Sequence, residues 1–424
     1  MGWVMALLPV VLLVAGFPFF LVLLATVAVA LAFFAEVPAT AAHQVMFASL
    51  DKYALLAVPF FIFAGDLLGR GGVSIRLVRF VQAVIGRVRG SLPFTSLGTA
   101  VVFSAISGST AATVAAVGGL TYRRLREAGY SEKFSTGLLI AAGAIDNLIP
   151  PSIGFILYGI ASDTSIVKLF TAGIVPGLVL ALFYAIYIYR HAVGRGDKGG
   201  PPFNAAELFA ATRDGMWAIA APVAVLGGIY AGVFSPTEAA AAACVYAILV
   251  TMVIYREASP KDVFDSASRS MYLTAQVFVI LACAGVYSWL LTVSGMGPAL
   301  IGAITAMELS PWALLLAVNV LLLLVGMVLD TVSAILILTP LLAPIAKAAG
   351  IDPIHFGVVV IMNLSIGTFT PPFGINIFVG QAVFKAPLSS IYPGLWPFIV
   401  AAIGALAIVT YVPELSLSVL KLLG

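Results

Sequence analysis

Two adjacent prolines lie in the stretch Asn363-Leu-Ser-Ile-Gly-Thr-Phe-Thr-Pro-Pro-Phe-Gly-Ile-Asn376. It lies within an apolar run from Phe356 to Phe384 that is long enough to cross a bilayer. Pro371 and Pro372 remove two backbone donors and push Thr370 out of helical geometry. Lipid cannot satisfy the peptide groups that such a break leaves unpaired. The break must therefore face protein, water or a bound ion.

A second broken element stands earlier in the chain, at Asp146-Asn-Leu-Ile-Pro-Pro-Ser152. Three pairs of landmarks keep a constant offset of 221 positions: Pro150-Pro151 and Pro371-Pro372, Ala128-Gly129 and Ala349-Gly350, and Ser109-Thr110 and Asp330-Thr331. One broken helix is compatible with a kink, but two in corresponding positions indicate a transport site. The constant spacing predicts an internal repeat.

The composition is that of an all-α polytopic membrane protein. The chain has 424 residues, of which 62% are hydrophobic and 9% are charged, and its mean hydropathy is +1.13. These values exclude a soluble domain, and the long continuous apolar runs exclude a transmembrane barrel. Cys244 and Cys283 both lie in apolar spans, so a disulfide framework is not expected.

Turn residues and apolar runs divide the chain into two halves around a polar linker. Each half is expected to contain a re-entrant helical hairpin, with two short arms and a polar tip, followed by the broken helix. Residues 205–231 are expected to form one span. The N-terminal helices and the first repeat are predicted at 1–193, with the hairpin at about 92–128 and the broken helix at about 134–162. The linker is predicted at 194–204. The second repeat is predicted at 205–424, with its hairpin at about 311–349 and its broken helix at about 356–384.

The distribution of basic residues predicts the topology. If each hairpin returns to its starting side, the two repeats are inverted with respect to each other. Placing the basic amphipathic segment 73–90 at the inner surface puts seventeen of the 21 Lys and Arg residues inside, and the linker becomes cytoplasmic. Both termini are then external.

The interrupted backbone predicts where ions and solute bind. Carbonyl groups at hairpin ends and helix breaks suit a dehydrated Na⁺, whereas the N-termini of half-helices suit a carboxylate. The predicted sodium ligands are Ser107, Ser109, Asn147, Ile149, Pro150 and Pro151 in a first cluster, and Gly326, Asp330, Gly367 and Thr370 in a second. Isoleucine and proline serve only through backbone oxygens. The predicted substrate contacts are Ser109, Thr110, Asn147, Thr331, Thr370 and Asn376.

Each of these residues also has a purely structural interpretation. Asp330 could cap the second hairpin arm, and Asp146 and Asn147 could satisfy the broken backbone. The small residues from Ser107 to Thr110 could serve helix packing. The intramembrane amides Asn319, Asn363 and Asn376 have two interpretations, as contacts to the substrate or as interhelical hydrogen-bond partners. Glu238 is expected to form part of a capping box.

The paired motifs resemble a known family. Ser107-Gly-Ser-Thr-Ala-Ala-Thr113, Asp146-Asn-Leu-Ile-Pro-Pro-Ser152, Leu329-Asp-Thr331 and Gly367-Thr-Phe-Thr-Pro-Pro-Phe-Gly374 are similar to the large membrane subunit of tripartite ATP-independent periplasmic (TRAP) transporters. The resemblance covers essentially the whole chain. It implies a multi-pass secondary transporter of the bacterial inner membrane, driven by Na⁺, that moves its solute by an elevator motion.

The resemblance also implies partners. A periplasmic substrate-binding protein delivers an organic acid, and a small four-helix membrane subunit is expected as a separate chain because 424 residues leave no room for it. The alternatives are a self-sufficient Na⁺/carboxylate symporter and an ion channel. An intramembrane enzyme is not expected, since the three histidines and sparse acids form no His/Ser or metal-ligand constellation. No cofactor other than the coupling ion and no nucleic-acid partner is expected.

Overall fold

The computed structural model describes residues 2–34, 38–70, 72–296, 299, 302, 307 and 309–423, and no strand occurs among them. The helices of the N-terminal half are α1 (Gly2–Val14), α2 (Phe19–Phe33), α3 (Ala39–Leu50), α4 (Ala57–Arg70), α5 (Val73–Ile85), α6 (Ser91–Ser107), α7 (Thr110–Glu127), α8 (Glu132–Gly143), α9 (Ile153–Ser162) and α10 (Ile166–Gly194). Those of the C-terminal half are α11 (Ala205–Asp214), α12 (Met216–Tyr230), α13 (Pro236–Ile248), α14 (Pro260–Val293), α15 (Pro311–Gly326), α16 (Thr331–Ala348), α17 (Pro353–Gly367), α18 (Ile375–Phe384), α19 (Leu388–Tyr411) and α20 (Glu414–Leu423).

The same order of elements occurs twice. A hairpin, α6–α7 or α15–α16, is followed by a helix in two pieces, α8 and α9 or α17 and α18, and then by a long helix, α10 or α19. Gly108 turns the first hairpin with a φ of +64°, a conformation that glycine adopts without steric cost. Both Pro-Pro peptide bonds are cis.

The two sets of elements pack on each other reciprocally. The second arm of each hairpin lies against the second piece of the other set's broken helix, as α7 against α18 and α16 against α9. The first piece of each broken helix packs on the long helix of the other set, as α8 on α19 and α17 on α10. A Cβ atom on Gly137 would lie 2.1 Å from the carbonyl oxygen of Gly394, so α8 and α19 touch through their backbones. This reciprocal packing is the arrangement expected of two structural repeats.

Among the described residues, six helical segments are long and apolar enough to cross a membrane: Tyr53–Arg70, α10, Pro236–Ile254, α14, α16 and α19. The halves of the broken helices have 10 to 15 residues and are too short for a full span. Each of these half-helices is long enough to cross only part of a bilayer, as the two proline pairs predict.

The expectation of a single span over 205–231 is wrong. The segment divides at Gly215 into α11 and α12. Ion pairs hold α11 against the basic helix α5, because Arg79 contacts Glu207 at 2.9 Å and Arg76 contacts Asp214 at 3.4 Å. These contacts engage arginines that the amphipathic pattern assigned to the membrane interface.

The predicted linker, whose residues 195–204 join α10 to α11, is tied to the base of the first hairpin. Arg195 donates hydrogen bonds to the carbonyls of Gly129 and Ala128, and Tyr130 donates a short one to Asp197. Burial raises the pKa of the Asp197 carboxyl, but the Tyr130 and backbone hydrogen bonds and the Arg195 charge outweigh it, so this pKa lies below its usual value.

Capping side chains begin several helices. Ser235 and Glu238 form the capping box of α13, which confirms the structural interpretation of Glu238. Asp352 caps α17 by accepting hydrogen bonds from two backbone N–H groups. Ser152 begins α9, directly after the first proline pair. A helix is therefore started again on the far side of that break.

Candidate functional site

The first hairpin tip lies against the first break. A Cβ atom on Gly108 would come 3.0 Å from the carbonyl oxygen of Pro151, so the two backbones are in contact. Ser107 folds over the tip, its hydroxyl donating to the carbonyl of Ser109 at 3.2 Å. Across the break, the Ser152 hydroxyl donates to the carbonyl of Asn147 at 2.6 Å. The structure thus brings together the predicted first cluster.

The first break is enclosed by protein. Every residue from Phe134 to Gly159 is buried, including both prolines. The side-chain nitrogen of Asn147 is buried without a hydrogen-bond partner among the described residues. Burying a polar atom without a hydrogen-bond partner costs free energy. In a binding site, such an atom can form its hydrogen bond with the ligand.

The second hairpin meets the second break in the same way. A Cβ atom on Gly367 would lie between 2.5 and 2.6 Å from three backbone atoms of Gly326. Such an approach is possible only between two glycines, because a Cβ atom at this position would clash. The Gly326 carbonyl group therefore lies directly against Gly367. Thr370 follows within the same turn, its hydroxyl donating to the carbonyl of Ile366 at 2.6 Å. Gly326, Gly367 and Thr370 are therefore neighbours.

Asp330 is placed differently from its cluster. Its side chain is exposed and caps α16, accepting hydrogen bonds from the backbone N–H and the hydroxyl of Ser333. The capping interpretation is confirmed. A ligand role for Asp330 stays a prediction, since its carboxylate retains further acceptor capacity.

The two halves of the site are joined by side chains predicted to touch the substrate. Thr110, at the first hairpin tip, donates its hydroxyl to the amide oxygen of Asn376 at 2.9 Å. Asn376, just after the second break, donates from its amide nitrogen to the Thr368 hydroxyl at 3.1 Å. Both Thr110 and Asn376 are buried. The polar strip they form connects the first hairpin with the second broken helix.

Two of the remaining predicted substrate contacts are less enclosed than Asn147 and Thr370, which are buried, and the second break has an open face. Ser109 and Thr331 are half-buried at their hairpin tips. Pro372 and Phe373 are exposed, and the Tyr392 hydroxyl donates to the carbonyl of Pro372 at 3.0 Å. The site is thus closed around the first break and open at the edge of the second.

Comparison with known proteins identifies the family. The family model of the tripartite ATP-independent periplasmic transporter, DctM component, matches residues 5–415. The chain belongs to this family. It is a TRAP large permease, a multi-pass protein of the bacterial inner membrane and not an enzyme.

Curated relatives match this permease over most of its length. It is 38% identical to the ectoine/5-hydroxyectoine TRAP transporter large permease protein UehC of Ruegeria pomeroyi, over 96% of each chain. It is 39% identical to the C4-dicarboxylate TRAP transporter large permease protein DctM of Pseudomonas aeruginosa, over 89% of each. Among solved structures, the Alcanivorax borkumensis YdaH transporter superposes with a TM-score of 0.69 at 16% identity, covering 95% of this chain and 98% of that one. This last likeness concerns the fold alone.

Two of the other polar residues of the permease have structural roles. Asn363 donates to the amide oxygen of Asn319 at 2.7 Å, and Asn319 donates to the Thr410 hydroxyl at 3.1 Å. These interhelical bonds confirm the structural interpretation of both amides. His355 lies beside Thr410 of this hydrogen-bonded chain, with its Nε2 atom 3.1 Å from the Thr410 carbonyl.

Sequence reasoning assigned Asp146 no place in the ion site. The structure buries it completely beside the first hairpin, where Thr113 donates a short hydrogen bond to its carboxylate. An ionisable residue within an apolar span was the available signal, because such residues commonly mark ion paths. Its partner lies 33 positions away, so the contact itself could not be read from the sequence.

Proposed function

We propose that this TRAP large permease carries out Na⁺-coupled uptake of an organic acid that a periplasmic substrate-binding protein delivers. The observation that carries the proposal is the contact of each hairpin tip with a helix break, through Gly108 and Pro151 in one half and Gly326 and Gly367 in the other. Each contact gathers backbone oxygens in the protein interior, and a hard cation such as Na⁺ prefers oxygen ligands.

The proposed solute site lies between these ion sites. The unpartnered amide nitrogen of Asn147 is a hydrogen-bond donor, and α9 begins nearby with its partial positive charge at Ser152. The Thr110–Asn376 contact supplies a hydroxyl and an amide that can exchange partners with a carboxylate. These groups suit an organic anion, the solute class that the C4-dicarboxylate relative's name records.

The packing of two units supports the proposal of alternating access. The carrier unit consists of α6–α10 and α15–α19, whose broken helices and hairpins interlock. The scaffold unit consists of α1–α5 and α11–α14, in which α4 packs on α13 and α14 packs on α2, α3 and α4. A Cβ atom on Gly65 of the scaffold would lie 2.7 Å from the Ser107 carbonyl oxygen of the carrier. An elevator motion would slide the carrier past the scaffold, exposing the sites to each side in turn.

The energetics favour coupling to more than one ion. One positive charge crossing a potential of about 100 mV gains about 2.3 kcal/mol. Two Na⁺ ions moving with a monoanion carry one net positive charge inward. The membrane potential then adds to the Na⁺ concentration gradient, which makes uptake concentrative.

The proposed partners are a small four-helix membrane subunit and the binding protein. The isethionate TRAP transporter permease protein DctMQ of Oleidesulfovibrio alaskensis is 39% identical over 88% of this chain, which covers 59% of that relative. The additional length of that relative is consistent with a fused small subunit, which here would be a separate chain.

Reconstitution tests the proposal. Proteoliposomes would contain this chain alone, this chain with its small subunit, or both together with the binding protein outside. Radiolabelled C4-dicarboxylates, sialic acid and ectoine, the solutes of relatives, would be offered with an inward Na⁺ gradient or with K⁺ instead. Uptake that requires all three proteins and Na⁺ is expected. Uptake by this chain alone would establish the self-sufficient symporter, and uptake unaffected by Na⁺ would refute the coupling.

A further inference from the structure

Asp146 is a buried carboxylate that the predicted ligand sets leave unused. The residue is 0% exposed and lies in the short 3-10 turn Ala144–Asn147, just before the first break. Thr113 donates to one of its oxygens, Oδ2, whereas Oδ1 has no hydrogen-bond partner in the part of the chain that the structure describes. The side chains of Ser104 and Ser107 lie alongside the same carboxyl group.

The two serine hydroxyls lie next to this carboxylate and also hydrogen-bond to backbone groups of their own hairpin. Ser104 donates its hydrogen to the carbonyl of Ala100 at 2.7 Å, and Ser107 donates to the carbonyl of Ser109 at 3.2 Å. A hydroxyl oxygen has two lone pairs as well as its single hydrogen, so each serine oxygen can also act as a ligand for a cation. A carboxylate oxygen without a donor, beside two hydroxyl oxygens, is an all-oxygen ligand set for a hard cation.

No basic side chain neutralises Asp146 within the described ranges. The ion pairs found there do not include it. Its turn packs against α6, α7, α8, α9, α10 and α17. The charged residues and histidines of these helices lie toward their ends: Arg123, Arg124, Arg126, Glu127, Glu132, Lys133, Lys168, Arg190, His191 and His355. Lys133 lies thirteen residues before Asp146, about 20 Å along a helix.

We infer that Asp146 is the anionic ligand of a Na⁺ bound beside the first hairpin, with the Ser104 and Ser107 hydroxyls as neighbouring oxygen ligands. The inference rests on the proposed Na⁺ coupling and adds a charged ligand to it. An ionised carboxylate buried without a countercharge is strongly unfavourable, and this is more so at membrane depth. A cation at Oδ1 removes that penalty and gives the unpartnered oxygen its ligand. The Na⁺–carboxylate pair is neutral, so the occupied site leaves no net charge in the interior.

Thermal unfolding of the purified full-length chain tests this without transport. NaCl would be titrated against choline chloride at constant ionic strength, and the melting temperature would report Na⁺ binding. The variants are Asp146→Asn, which keeps the shape and removes the charge, and Thr113→Val, which removes the hydroxyl that orients the carboxylate. Asp163→Asn is the matched control, because Asp163 is exposed at the end of α9 and its positive φ of 55° suits asparagine.

For Asp146→Asn, the Na⁺ concentration giving half of the stabilisation is expected to rise at least about tenfold, or about 1.4 kcal/mol. In choline alone this variant is expected to melt higher than the wild type, since it lacks the uncompensated charge. Thr113→Val is expected to show a smaller rise and keeps the test open if Asp146→Asn does not fold. An Asp146→Asn protein with the wild-type Na⁺ dependence would overturn the inference. Absence of Na⁺ stabilisation in the wild type would instead refute the underlying Na⁺ coupling.

Discussion

The contact between Gly326 and Gly367 makes a sharp prediction. In Gly367→Ala the new methyl carbon would lie 2.5 Å from the Gly326 carbonyl carbon, whereas ordinary contacts are 3.4 to 4 Å. The second hairpin tip must therefore move by about 1 Å, and overpacking of this kind costs about 1–3 kcal/mol. If that strain opposes the ion-binding geometry, the Na⁺ concentration for half-maximal effect rises by about 5- to 150-fold.

The measurement is the Na⁺ dependence of the melting temperature and, in proteoliposomes, of uptake. Gly227→Ala is the matched control, since Gly227 lies inside α12 with no atom within 4 Å of the added methyl. Alanine is the better helix former by about 1 kcal/mol, so this control should be at least as stable and keep its Na⁺ affinity. An unchanged Na⁺ affinity in Gly367→Ala would show that the glycine contact has no part in the ion site.

Four further variants test the second break, the solute site, a helix cap and the linker. Replacing Pro371 and Pro372 together by alanine restores the missing donors and should abolish uptake while membrane insertion, followed by fluorescence size-exclusion chromatography, persists; wild-type uptake would dismiss the role of the break. Asn376→Ala removes hydrogen bonds worth about 0.5–1.5 kcal/mol and should raise the substrate concentration for half-maximal uptake about 2- to 13-fold, whereas an unchanged value would exclude it from the solute site. Asp330→Ala loses a helix cap and should destabilise the protein by about 1 kcal/mol in thermal unfolding; an unchanged Na⁺ dependence would limit Asp330 to capping. Asp197→Asn should lower the melting temperature at neutral pH, because a carboxyl group whose pKa is lowered by folding stabilises the fold above its unfolded pKa of about 3.9. The difference in melting temperature between variant and wild type should disappear as the pH falls from about 3.9 through the lower pKa of the folded state. A difference that does not change with pH would contradict this role of Asp197.

Much of the architecture could be predicted because its signals are local. Proline doublets break a helix in any context, and the constant offset between the two copies placed the hairpin tips opposite the breaks. The division of 205–231 could not be predicted, since it depends on Arg76 and Arg79 more than a hundred positions earlier. A hydropathy profile depends only on neighbouring residues, so it cannot reveal such long-range ion pairs.

The site was predictable at the level of the backbone and less so for its side chains. Gly326, Gly367 and Pro151 act through their main chains, whose positions follow from the hairpins and breaks. The environments of Asp146 and Asp330 depend on tertiary packing. One is enclosed by the first hairpin, and the other is left at the surface as a helix cap. Sequence spacing distinguishes neither outcome.

Equilibrium binding of ²²Na⁺ to the purified chain would show whether each helix break holds an ion, because it counts the ion sites without requiring the solute or the partner proteins. We expect saturable binding of at least two Na⁺ per chain, one beside each helix break, with one fewer retained by Gly367→Ala at sub-saturating Na⁺. Binding of a single ion, or none, would contradict it.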